Sequence, residues 1–183
     1  MKHLILVFFL IGITAIYFSC SDNNPSAPAL NQGDQVTTSL PKVTGFTSRS
    51  DLVTPIEAPT ISLLPGDRTL AEGNKTQWRD EASDPRVTGD AFWTTNSRVN
   101  KYGFGTTWGT CELFVDNEGG KWEITWEGIV EGSPATGDLF IKGVAKGVGV
   151  EGAVEGLTAK WFYTLDLANV GFFYTSEGFI HEN

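Results

Sequence analysis

Between residues 104 and 130 apolar and polar side chains alternate, break, and alternate again. Residues 104–115 are rich in aromatic and branched side chains, Asp116-Asn117-Glu118-Gly119-Gly120 is polar, and the alternation resumes from Lys121. Two such runs around a short loop ending in glycine predict a β-hairpin. In the second run Trp122, Ile124, Trp126 and Val130 stand against Lys121, Glu123, Thr125 and Glu127, giving that strand one apolar and one charged face.

The same period of two recurs on both sides. Val87, Ala91 and Trp93 alternate with Arg86, Thr88, Asp90 and Thr94, and Leu139, Ile141 and Ala145 with Asp138, Lys142 and Lys146. Trp161, Tyr163, Leu165 and Leu167 share a face opposite Lys160, Thr164 and Asp166; Phe172, Tyr174 and Ile180 oppose Thr175, Glu177 and His181 less cleanly. Residues 68–70 and 75–80 read as a hairpin closed through Glu72-Gly73-Asn74. Upstream, Val36-Thr-Thr and Val43-Thr-Gly-Phe-Thr look extended. Pro41, Pro55, Pro59 and Pro65 limit that region to one or two edge strands with irregular connections.

The count is about eight strands with tight turns and no helix after the N-terminal segment. Eight antiparallel strands, each with one apolar face, satisfy themselves as a closed β-barrel or as a two-sheet sandwich. The glycines favour the barrel, because closure needs sharply coiled strands. The fold class expected is therefore all-β, an eight-stranded antiparallel closed barrel.

Charge narrows the partners. Asp and Glu total 22 against 13 Lys and Arg, and binding to nucleic acid requires clustered cations, so no nucleic-acid partner is expected.

The N-terminus supplies an address. Met1-Lys2-His3 precedes fifteen mostly apolar residues, 4–18. At about 1.5 Å per residue such a helix falls short of the roughly 30 Å hydrocarbon core, so it reads as a signal segment rather than a stable span. Ser19-Cys20 follows, and a small residue directly before Cys resembles the lipobox of bacterial lipoproteins, with Tyr17 and Phe18 where that motif has aliphatic and small residues. Ser21-Asp-Asn-Asn-Pro-Ser-Ala-Pro has no apolar pattern and suits a solvated tether. The division expected is 1–19 signal peptide, 20–35 tether and 36–183 barrel, with Cys20 lipidated; an ordinary secretory signal is the alternative. If Cys20 is acylated, Cys111 has no disulfide partner, and its alternation with Leu113 and Val115 makes it a buried thiol.

Gly147-Val-Gly-Val-Glu-Gly152-Ala-Val-Glu-Gly156-Leu, leading into Ala159-Lys-Trp-Phe-Tyr-Thr-Leu, resembles the allene oxide cyclase and dirigent barrel superfamily. Trp108-Gly-Thr, Gly120-Lys-Trp-Glu-Ile-Thr-Trp-Glu-Gly and Ser176-Glu-Gly-Phe-Ile look like its secreted bacterial members, and the similarity covers about residues 86–181. It implies an eight-stranded barrel, often trimeric, with a cavity for hydrophobic small molecules. The polar positions that serve the cyclases do not map onto this sequence, so no activity is carried over.

Candidate chemistry is sparse. After signal cleavage His181 is the one histidine, which removes Ser-His and Cys-His nucleophilic schemes and multi-His metal sites. Gly147, Gly149 and Gly152 precede a strand, not the helix a dinucleotide loop requires. Glu123 and Glu127 share a strand face about 13 Å apart, too far for a glycosidase pair, and Glu112 could pair with either across the hairpin. The aromatic set Trp93, Trp122, Trp126, Trp161 and Tyr163 lies on inward faces. It either fills the barrel or lines a cavity for an apolar ligand.

The function expected is that of a lipid-anchored β-barrel of the bacterial cell envelope, outer-membrane, periplasmic or surface-exposed. It would bind a small hydrophobic ligand at that aromatic set, with no cofactor, no metal and no assigned catalytic residue. A cyclase or isomerase would need Cys111 or Glu112 to face inward beside the aromatics. A structural or adhesive surface protein would instead show outer aromatic patches from Phe92, Phe140, Phe162 and Phe173, the residues through which self-association, as in a trimer, is also expected.

Overall fold

The computed structural model describes residues 41–117, 119–133, 138–166 and 173–182. Nine strands carry nearly all of them: β1 (Lys42–Glu57), β2 (Thr60–Leu64), β3 (Arg68–Ala82), β4 (Gly89–Asn100), β5 (Gly105–Val115), β6 (Gly120–Ser133), β7 (Asp138–Gly152), β8 (Thr158–Asp166) and β9 (Phe173–Glu182). Neighbours in sequence pair antiparallel from β3 through β9, and β1 bonds to β9 on one side and β3 on the other. That closes an eight-stranded barrel with β2 attached outside the ring. The segments preceding residue 41, including Val36-Thr-Thr and Cys20, lie outside the described residues, as do Leu167 and Phe172.

The central hairpin forms as the alternation predicts. Phe114 faces Lys121, and Trp122, Ile124, Trp126 and Val130 are all buried. Glycine fits the aromatics together. A Cβ at Gly147 would lie 2.8 Å from the Trp161 ring and one at Gly178 2.5 Å from the Phe46 ring, so these bare backbone positions are what the two rings rest on.

Three expectations change. The segment around Glu72-Gly73-Asn74 is not a hairpin turn but an irregularity inside one 15-residue strand. Gly73 takes its positive φ of 75° there, and its N–H donates to Asn96 Oδ1 at 2.9 Å, so the residue is absorbed as a bulge. The region read as edge strands holds a 16-residue wall strand; Pro55 is tolerated because β1 pairs only with β3 at that height. Arg86 and Val87 belong to a 3₁₀ turn, Pro85–Val87, capped by the Asp84 carboxylate, and β4 starts at Gly89.

The connections sort to two ends. The turns at 83–88 and 152–157 and the β5–β6 loop share one end, where Val87, Trp122, Val154 and Ile180 are at most 1 % exposed and plug the barrel. Trp122 Nε1 donates to the Arg86 carbonyl at 2.7 Å, and Arg86 reaches Asp84 at 2.7 Å and Glu182 at 2.6 Å. On the outer wall, Phe92 and Phe162 are exposed while Phe140 and Phe173 are half-buried. Cations sit over several of these rings: Arg49 over Phe173, Lys142 over Phe140 and Lys160 over Phe162.

Candidate functional site

Opposite the plugged end the described residues leave the barrel hollow. A cavity of about 440 Å³ occupies the upper lumen, toward the β4–β5 connection. Inward aromatics form its floor. Trp93 is the hub, with ring centroids 5.3 Å from Trp126, 5.4 Å from Tyr174 and 6.4 Å from Tyr163, all edge-on. Trp78 packs on Tyr174 at 5.1 Å and extends the floor toward β1.

The walls differ. Asn74 and Thr76 of β3, Thr95 and Ser97 of β4 and Thr107 of β5 give one side polar groups. Val130, Leu139, Ile141 and Leu165, on β6 to β8, make the other side aliphatic. Among the described residues no charged side chain lines the cavity.

The aromatic set therefore divides. Trp93, Trp126 and Tyr163 line the cavity, whereas Trp122 and Trp161 do not; those two meet 5.8 Å apart in the packed layer beneath. Tyr163 turns its hydroxyl to the wall, donating to the Glu127 carbonyl at 3.3 Å, where Gly128 and Gly143 leave room. Burial raises its pKa. Thr95, Ser97 and Val99 had a legible signal, since the alternation that runs through Ala91 and Trp93 continues to them.

Beneath the floor lies a polar cluster with no linear signature. Ser50 of β1 pairs with Tyr174 of β9 on one side and Asp80 of β3 on the other. Serine is small, so the Tyr174 hydroxyl passes over it and donates to Asp80 Oδ1 at 3.1 Å. Burial raises the Asp80 pKa to about 6, opposed by the Ser50 and Tyr174 hydroxyls, although Ser50 Oγ makes no hydrogen bond of ordinary geometry. A void of about 10 Å³ beside Asp80, Tyr174 and Ser176 is roughly the size of one water.

The carboxylates read from the hairpin take another role. Glu112 and Glu123 are cross-strand partners on the outer wall, both more than half exposed, and Lys121 Nζ sits 2.5 Å from Glu112 and 3.6 Å from Glu123. This solvated, cation-bridged pair lies away from the lumen. Cys111 does face inward, but burial pushes its thiol pKa well up, leaving it protonated and inert.

Fold and site together define a closed antiparallel β-barrel with a half-filled lumen. Compared with known proteins, the chain matches no family model, no curated protein and no solved structure.

Proposed function

We propose that the barrel binds a small, largely apolar molecule in its upper lumen and performs no chemistry on it. The observation that carries this reading is the cavity itself: about 440 Å³, floored by edge-on aromatics and, among the described residues, free of charged groups, within the size and character of small-molecule sites. An enzyme in the same space would need an activated group beside the ligand. Glu112 points outward, burial raises the Cys111 thiol pKa, and the Tyr174 O–H is already hydrogen-bonded to Asp80.

Titration with N-phenyl-1-naphthylamine, followed by its fluorescence, tests the binding. Saturable binding at one site per chain is expected, with Leu139→Trp, which fills the aliphatic wall, weakening it at least tenfold. Non-saturable uptake, or equal binding by the variant, would sink the proposal.

The Ser19-Cys20 junction supports a second element: acylation of Cys20 and anchoring to the bacterial cell envelope, with residues 20–35 as tether. The full chain is expected in the membrane fraction and Cys20→Ala in the soluble one; an unmodified N-terminal mass would refute it.

A further inference from the structure

The two walls of the lumen carry information about the ligand. Above the aromatic floor, hydrogen-bonding side chains come from β3 to β5, while β6 to β8 present Val130, Leu139, Ile141 and Leu165. A molecule seated between them meets polar groups along one edge and hydrocarbon along the other.

The polar arc is also undersubscribed. Thr107 Oγ1 donates to the Asn96 carbonyl at 2.9 Å, and Thr76 Oγ1 accepts from Trp78 Nε1 at 2.8 Å. The side chains of Asn74, Thr95 and Ser97 make no hydrogen bond among the described residues. Trp93 Nε1 and Trp126 Nε1 find no partner among the described residues, but both atoms are shut off from the cavity and offer a ligand nothing.

Charge sets the remaining condition. Among the described residues no Lys, Arg or His lines the cavity, and the Asp80 carboxyl lies directly beneath the floor, hydrogen-bonded to the Tyr174 that lines it. An anionic group carried into this space would be desolvated with nothing to pair it. A cationic one would find no carboxylate on the described lining, Asp80 being screened from it by Tyr174.

Taking the lumen as the binding site, we infer that its ligand is a neutral, ring-built molecule bearing hydroxyl or carbonyl groups along one edge, and not a carboxylate. The rings suit the edge-on aromatic floor. The oxygens suit the side chains of Thr95, Ser97 and Asn74.

Three naphthalenes of similar size test this: 2-acetonaphthalene, 2-isopropylnaphthalene and 2-naphthoate, each competed against N-phenyl-1-naphthylamine at pH 8. The ketone is expected to bind at least tenfold more tightly than the hydrocarbon, with the naphthoate at least a hundredfold weaker than the ketone. Thr95→Val/Ser97→Ala, near-isosteric changes in a strand, is expected to cut the preference for the ketone to less than threefold while the hydrocarbon binds no worse. Equal binding of ketone and hydrocarbon, or naphthoate binding as tightly as the ketone, would overturn the inference and leave lumen binding standing. So would failure of all three while N-phenyl-1-naphthylamine still binds. Failure of that dye as well would remove both.

Discussion

Asp80 is the residue whose chemistry is most altered by its surroundings. Its pKa, raised from an ordinary 3.8 to about 6 by burial, means that the folded protein holds this proton more tightly than the unfolded chain does. The stabilisation from the neutral carboxyl is thus complete below about pH 3.8 and lost as pH rises through 6. Two units at roughly 1.4 kcal/mol each make the loss up to about 3 kcal/mol by pH 8. Asp80→Asn keeps an acceptor for Tyr174 and cannot ionise. It is expected to melt several degrees higher than the parent at pH 8 and within a degree or two of it at pH 4; a variant less stable at both pH values would show the ionised carboxylate to be well accommodated. The partner signal, a serine between two large residues in three different strands, does not exist until the strands are paired.

At the scale of the strand, glycine opposite an aromatic ring is the recurring device. Gly178→Ala would drive a methyl into both the Lys160 carbonyl oxygen and the Phe46 ring and is expected to cost about 1–3 kcal/mol in denaturant unfolding. Gly45→Ala meets nothing closer than 3.8 Å and is expected to change stability by less than about 0.5 kcal/mol. Equal effects at both positions would mean that backbone freedom, not the close approach of neighbouring atoms, selects glycine. The bulge at Gly73 shows why the sequence misleads at this scale. A glycine between polar residues fits a turn equally well, and only the uninterrupted pairing of β3 with β4 on either side makes it an internal kink.

For the whole molecule, closure decides which strands hold together. The eight ring strands have hydrogen-bonded neighbours on both sides over at least part of their length, while β2 bonds only to residues 68–72 of β3 and leaves Ile61 57 % and Leu63 85 % exposed. Hydrogen exchange is expected to be at least a hundredfold faster for β2 amides than for β5 and β6, because β2 can open without breaking the ring. Matching rates would place β2 in the same cooperative unit. The hollow upper half and the solid lower half also arise at this scale, since the plug is assembled from the turns at 83–88 and 152–157, Trp122 of β6 and Ile180 of β9.

What the sequence determined alone is which way each side chain faces. A period of two is a local property, so the inward placing of Trp93, Trp122, Trp126, Trp161 and Tyr163, the outward placing of Glu112 and Glu123, and the all-β class were legible without coordinates. The tertiary structure decided height. Strand register fixes how far up the barrel each inward residue sits, and it is summed around the ring over pairs distant in sequence. That sum sends Trp122 and Trp161 into the packed base, lifts Trp93, Trp126 and Tyr163 to the floor of an open cavity, and brings Asp80, Ser50 and Tyr174 level with one another.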